Sequence, residues 1–186
     1  MVFHAGNPRK VAVASVLAAV CLAIQLVPRP PNVEFTSLLT FVVGFLFGSV
    51  FGFLFGCFVM FVNGFFSSWG FAGLNMPFQM VGMGVVGFFG GFYVRYVRSY
   101  VFGRLWIEAA VSGAVLTLFY DFLTNFGMVL YYMISGVAVD LAFGVALVYG
   151  VPFMVVHVLS NFALFGILFY PLIKTLNHTL MVKNFG

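Results

Sequence analysis

The stretch from Phe35 to Phe66 reads FTSLLTFVVGFLFGSVFGFLFGCFVMFVNGFF and contains no charged residue. A helix crosses the hydrocarbon core of a bilayer in about 20 residues. This run is therefore too long for one ordinary span and reads as a hairpin of two apolar helices, over 34–47 and 50–66. Glycines recur every fourth residue, at Gly44, Gly48, Gly52 and Gly56. Small residues at that spacing let helix backbones approach closely, and the segment Gly48 to Gly52 supplies the expected turn.

The rest of the chain has the same character. Of its 186 residues 63% are hydrophobic and 6% charged, where a soluble domain carries roughly 25% charged residues. A water-facing surface cannot be made from that stock. The 27 Phe exclude disorder, and two cysteines, Cys21 and Cys57, make no disulfide framework. The composition predicts an all-α membrane protein, a single integral membrane domain over 1–186.

Further helices are expected at 11–27, 77–94, 105–126 and 152–176. Pro28, Pro30 and Pro31 end the first, and no cleavage site marks it as a removable signal. Pro77 opens the fourth. Residues 127–150 hold Gly127, Gly136, Gly144, Gly150 and Asp140 and read as a long, partly helical loop, with a seventh span as the competing reading. A six-transmembrane-helix bundle puts both termini on one side. Arg9, Lys10, Arg95, Arg98, Arg104, Lys174 and Lys183 then share that side, and Arg29 alone lies opposite. The positive-inside rule makes the shared side, with the N- and C-termini, cytoplasmic. A seventh span would move Lys174 and Lys183 outside, which counts against it.

With that orientation, polar side chains from several helices gather in the outer half: Asn32, Glu34, Asn63, Trp69, Asn75, Gln79, Asp121, Asn125, His157 and Asn161. Asp121 and Asn125, and likewise His157 and Asn161, are spaced i, i+4 on one helix face. Ionisable groups within a bilayer usually face a cavity or the bundle interior. A common depth is what a solute pocket open to the outside needs, although Asn, Gln and His also bond helix to helix. Asp121 stands out, because a carboxylate there needs a partner and no basic residue is near it in sequence. Tyr120, Phe71 and Phe78 could wall a pocket for a flat ligand. In the first helix Ala14-x-x-x-Ala18 and Ser15-x-x-x-Ala19-x-x-x-Ala23 form a strip of small residues, suited to internal packing or to docking another membrane protein. Glu108 is left without a role.

There is no nucleotide-binding loop, no zinc spacing and no esterase or metalloprotease motif. An enzyme is not expected, nor a metal or other cofactor. Uphill transport would have to draw on a partner or an ion gradient.

The chain resembles the substrate-binding S components of energy-coupling factor (ECF) vitamin transporters. The resemblance runs nearly its whole length. Its carriers are Ala14 and Ala18, Pro31-Asn32-Val33-Glu34, the glycine-spaced hairpin, Met76-Pro77-Phe78-Gln79-Met80, and Tyr120-Asp121 with Thr124-Asn125. The resemblance implies a vitamin or related micronutrient held near the outer face of the plasma membrane. Loops at 28–33, 67–76 and 127–150 would cap it. It also implies a membrane coupling subunit (the T component), docked on the helix 1 strip of Ala14, Ala18, Ala19 and Ala23, and two cytoplasmic ATPases. The S component would then topple to deliver its substrate inward. Substrate identity does not carry over. Pro31-Asn32-Val33-Glu34 is similar to members linked to cobalamin, and the lack of outer basic residues other than Arg29 argues against a polyanion such as folate. Two other functions remain open: an autonomous gradient-driven carrier or channel using Asp121 or Glu34, and a non-catalytic structural subunit.

Overall fold

The computed structural model describes residues 8–27, 30, 32–66, 70–96 and 102–180. Trp69, Arg29, Arg98 and Lys183 lie outside the described residues. The elements are α1 (Pro8–Leu26), α2 (Thr36–Phe47), α3 (Ser49–Phe66), a 3-10 turn (Gly73–Asn75), α4 (Met76–Tyr93), α5 (Phe102–Ile134) and α6 (Val139–Leu180), with no strand among the described residues. Three of the helices are long and apolar enough to cross a membrane: α3, α5 over Arg104–Ile134 and α6 over Val139–Asn177.

The expected α2–α3 hairpin is present, but its turn is one residue, not five. Gly48, at φ 102°, is the only residue between the helices, and its N–H caps the carbonyl of Gly44. A side chain at that φ would be strained. Gly52 belongs to α3 and packs α3 on α4. A Cβ on Gly44 or Gly52 would collide with the Gly87 carbonyl, and one on Gly87 with the Gly52 carbonyl. The four-residue glycine spacing thus builds a backbone-to-backbone seam joining α2, α3 and α4.

The expected loop over 127–150 is not a loop, nor is it a separate span. α5 continues to Ile134, the chain turns through Gly136 at φ 88°, and α6 starts at Val139 and runs through Pro152 and Pro171. The reading failed because glycine and proline count as helix breakers in water. In an apolar bundle a neighbouring helix offsets the lost hydrogen bond, so they are tolerated. Here α5 and α6 pair antiparallel along their length: Ala142 and Ala146 cluster with Val129 at the tip, and a Cβ on Gly113 would meet the ring of Phe165 further down. Pro152 is therefore inside a helix of 42 residues, about 60 Å long.

The core divides along the bundle axis. At the end holding the N-terminus of α5, Phe41, Phe45, Tyr93, Phe165 and Phe169 interlock with ring centroids 5.3–6.2 Å apart, several edge to face. Beside it, α1 packs on α2 and α3 through Ala14, Leu17, Ala18, Cys21, Leu39, Val43 and Val59. Ala14 and Ala18 are thus buried in the chain's own core, while Ser15, Ala19 and Ala23 stay exposed. Glu108 has a structural role: it accepts from the Tyr93 hydroxyl at 2.9 Å and from Arg104 Nε at 2.5 Å, tying α4 to α5. Large apolar side chains such as Phe58, Phe61, Phe65, Phe88, Phe122 and Leu159 face outward, a surface suited to lipid.

Gly87→Ala should lower the melting temperature of the detergent-purified protein, because its methyl group meets backbone that cannot yield. Gly144→Ala, in open space within α6, should leave it unchanged or raise it slightly.

Candidate binding site

Where α5 and α6 rise past the start of α2, three ionisable side chains meet in apolar surroundings. His157 Nδ1 lies 2.7 Å from Asp121 Oδ1, and His157 Nε2 lies 3.4 Å from Glu34 Oε1. All three residues are about 95% buried. With Asp121 ionised its carboxylate only accepts, and Nδ1 is then the donor of the shorter contact. Tyr120 stands edge-on to the imidazole at 5.9 Å, which fixes the ring plane.

Glu34 is held from its other side. Its carboxylate accepts from the backbone N–H of Thr36, from the N–H of Ser37 at 3.2 Å and from the Ser37 hydroxyl at 2.6 Å. A carboxylate on the orphan donors of a helix N-terminus is stabilised by the hydrogen bonds and by the helix dipole. Glu34 therefore starts α2 and reaches α6 with one side chain. Two further bonds secure this end: Gln25 Nε2 donates to Thr36 Oγ1 at 2.8 Å, joining α1 to α2, and Asn32 Nδ2 donates to the carbonyl of Phe153 at 2.9 Å. Asn32 has φ 61°, a conformation asparagine accepts more readily than most residues, and its own carbonyl accepts from Ser160.

These groups edge a cavity of about 720 Å³, within the range of small-molecule sites. Of the sequence-predicted residues, Asn32, Glu34, Asn63, Asn75, Gln79, Asp121, Asn125 and His157 line it, and Asn161 does not. Asn161 is fully buried one turn below His157. Phe78 packs on Phe126, at a centroid distance of 6.1 Å, rather than on the cavity. Carbonyl oxygens of Asn63, Asn75 and Gln79 are buried without a hydrogen-bond partner, so the wall offers unused acceptors. Among the described residues no Lys or Arg lines it.

The cover comes partly from the segment 70–75, expected, and partly from the α5–α6 hairpin, which brings Met128, Tyr131, Phe153 and Met154 as helical side chains. Gln25, Met60, Thr124 and Phe153 also line the cavity and were missed. Only Gln25 gave a signal, as a polar residue ending an apolar helix. Two glycines first read as breakers make room for cavity amides. A Cβ on Gly150 would strike the Asn125 amide, and one on Gly127 would strike Asn75 Oδ1 and the Phe78 ring.

The family model of the ECF-type riboflavin transporter S component matches residues 6–178. The chain belongs to that family. As an ECF S component it is a membrane protein and a subunit for binding in transport, not a catalyst. The likeness of Pro31-Asn32-Val33-Glu34 to cobalamin-linked members has no counterpart in this match. No curated protein and no solved structure gave a match. In this S component the cavity lies at the bundle end opposite the basic residues Lys10, Arg95, Arg104 and Lys174, which sit toward the other ends of α1, α4, α5 and α6.

Removing one member of a buried ionic set strands its partners and costs about 3–5 kcal/mol. His157→Ala should therefore lower the melting temperature markedly. The triple variant Glu34→Gln, Asp121→Asn, His157→Leu, which strands no charge, should recover most of that loss in the same measurement.

Proposed function

We propose that this chain is the substrate-binding component of an ECF-type importer and that its cavity holds riboflavin or a closely similar neutral, flat vitamin. The observation that carries the reading is the wall itself: amides and carboxylates beside Tyr120, Phe71 and Phe153, with no cation among the described residues, in a chain whose family is that of riboflavin S components. A fused heteroaromatic ring with alternating carbonyl and N–H groups is matched by Asn and Gln, which offer a donor and an acceptor each. A hydroxylated side chain is matched by Asp121 and Asn125. The free acceptors of Asn63, Asn75 and Gln79 would be satisfied by such a ligand. A phosphorylated ligand would meet Glu34 and Asp121 with no Lys or Arg among the described lining residues.

In this reading the six helices cross the plasma membrane, the termini are cytoplasmic, and the cavity opens outward. The basic residues at the opposite end support that orientation. A membrane coupling subunit docks on the exposed Ser15-Ala19-Ala23 face of α1, and two cytoplasmic ATPases supply the energy. The inward burial of Ala14 and Ala18 narrows the docking strip to that face.

Riboflavin fluorescence should be quenched on titration with the purified protein, while its phosphate ester, flavin mononucleotide, should bind at least tenfold more weakly. Asn75→Ala and Gln79→Ala should each weaken riboflavin binding about tenfold, the equivalent of one good hydrogen bond. Equal binding of the phosphorylated form, or no flavin binding at all, would contradict the assignment.

A further inference from the structure

α4 and α5 each give one face to another helix. On α4, Gly84, Gly87 and Gly91 are turned to α3, where a Cβ would strike Phe53, Gly52 and Ser49. On α5, Ala110 and Gly113 are turned to Gly166 and Phe165 of α6. Against each other, α4 and α5 touch at two levels. Toward the vitamin cavity, a Cβ on Gly82 would meet the Tyr120 ring. Toward the basic end, the Tyr93 hydroxyl donates to Glu108 at 2.9 Å. Between these levels the helices part and leave a groove of about 720 Å³.

Its walls run from Val85 to Tyr96 on α4 and from Val111 to Phe119 on α5, with Phe41 as the floor. Phe89, Phe92, Val111, Val115 and Phe119 are exposed, so the groove opens away from the bundle, on the side suited to lipid. Its inner polar groups are engaged: the Ser112 hydroxyl donates to the Glu108 carbonyl at 2.7 Å, and the Tyr93 hydroxyl to the Glu108 carboxylate. What remains is an apolar slot. The rise from Val85 to Tyr96 is about 16 Å, the depth of one leaflet of a hydrocarbon core about 30 Å thick.

The mouth of the slot is basic. Arg95 adjoins Tyr96 in the turn after α4, Arg104 is in the first turn of α5, and both are exposed. Glu108 is the carboxylate at this level, and both its oxygens are engaged, by Tyr93 and by Arg104 Nε. That contact uses one of the five N–H donors of the guanidinium. Arg95 makes no ion pair among the described residues. Two arginines thus face one carboxylate, and guanidinium donors are left over. Arg meets phosphate with two parallel hydrogen bonds, and Tyr96 is of the residue type that settles at the membrane interface. A helix from another chain would need acidic residues of its own at this level. A phospholipid brings its phosphate to that level by construction.

We propose that the groove between α4 and α5 binds one molecule of an anionic phospholipid, its acyl chain along the slot and its phosphate on Arg95 and Arg104. The lipid fills the gap between the glycine-fused helices and the α5–α6 hairpin, and so braces one against the other. Its binding needs no vitamin.

The test is native mass spectrometry of the vitamin-free, delipidated protein in detergent, with phosphatidylglycerol and phosphatidylcholine of identical chains added at equal concentration. One phosphatidylglycerol should be retained at least about fivefold over phosphatidylcholine, the preference that one arginine near a membrane surface confers. The double variant Arg95→Gln, Arg104→Gln should lose the preference. Val115→Trp, at an exposed wall position, should obstruct the slot and reduce retention of both lipids. Melting curves of the wild type should rise with phosphatidylglycerol and not with glycerol phosphate, which has the headgroup charge without the chains. Equal retention of the two lipids, an equal rise with glycerol phosphate, or a dimer that Val115→Trp dissociates would each overturn the proposal. Because no vitamin is present, none of these results bears on the flavin titration.

Discussion

The imidazole of His157, set between Asp121 and Glu34, is the interaction on which the cavity end of the molecule depends. It joins α5 and α6 to the start of α2, and Glu34 in turn caps that helix with the same carboxylate. In water such a contact would be worth little. In a membrane bundle none of the three can be left alone, so the geometry that pairs them is strongly enforced. The same groups edge the cavity, and a ligand that engaged Asp121 or Glu34 would act directly on the packing of three helices. Substrate occupancy and helix arrangement are thereby placed on one network.

The two halves of the bundle are built on different physics. α2, α3 and α4 are fused by glycines whose backbones touch, leaving little freedom to slide. The α5–α6 hairpin is a long two-helix arm that packs chiefly on itself near its tip, through Val129, Ala142 and Ala146. The cavity lies between the rigid seam and the root of the arm. Its polar side chains come from both sides: Asn63, Asn75 and Gln79 from the first, Asn125 and His157 from the second.

The sequence was informative wherever the argument rested on what a bilayer forbids. Scarce charge, the lengths of the apolar runs and the clustering of Glu34, Asp121 and His157 are all consequences of costly burial, and the structure brings those three side chains into contact. It misled where the rules came from soluble proteins. Gly127 and Gly150 were read as interruptions and Pro152 as the start of a helix, yet all lie inside helices, the glycines because neighbouring amides need the space. The direction of the helix 1 strip was illegible, since Ala14 and Ala19 look alike until the neighbouring helix is placed. Glu108 was opaque for the same reason: its partner Tyr93 is on another helix.

The central claim is that the cavity is built for a neutral flavin-like vitamin. Native mass spectrometry of the protein purified gently from its own membrane, with the retained small molecule identified by its mass, tests it most directly. The account predicts one bound riboflavin-sized neutral molecule per chain. A phosphorylated or otherwise anionic ligand, or an unrelated vitamin such as cobalamin, would contradict it.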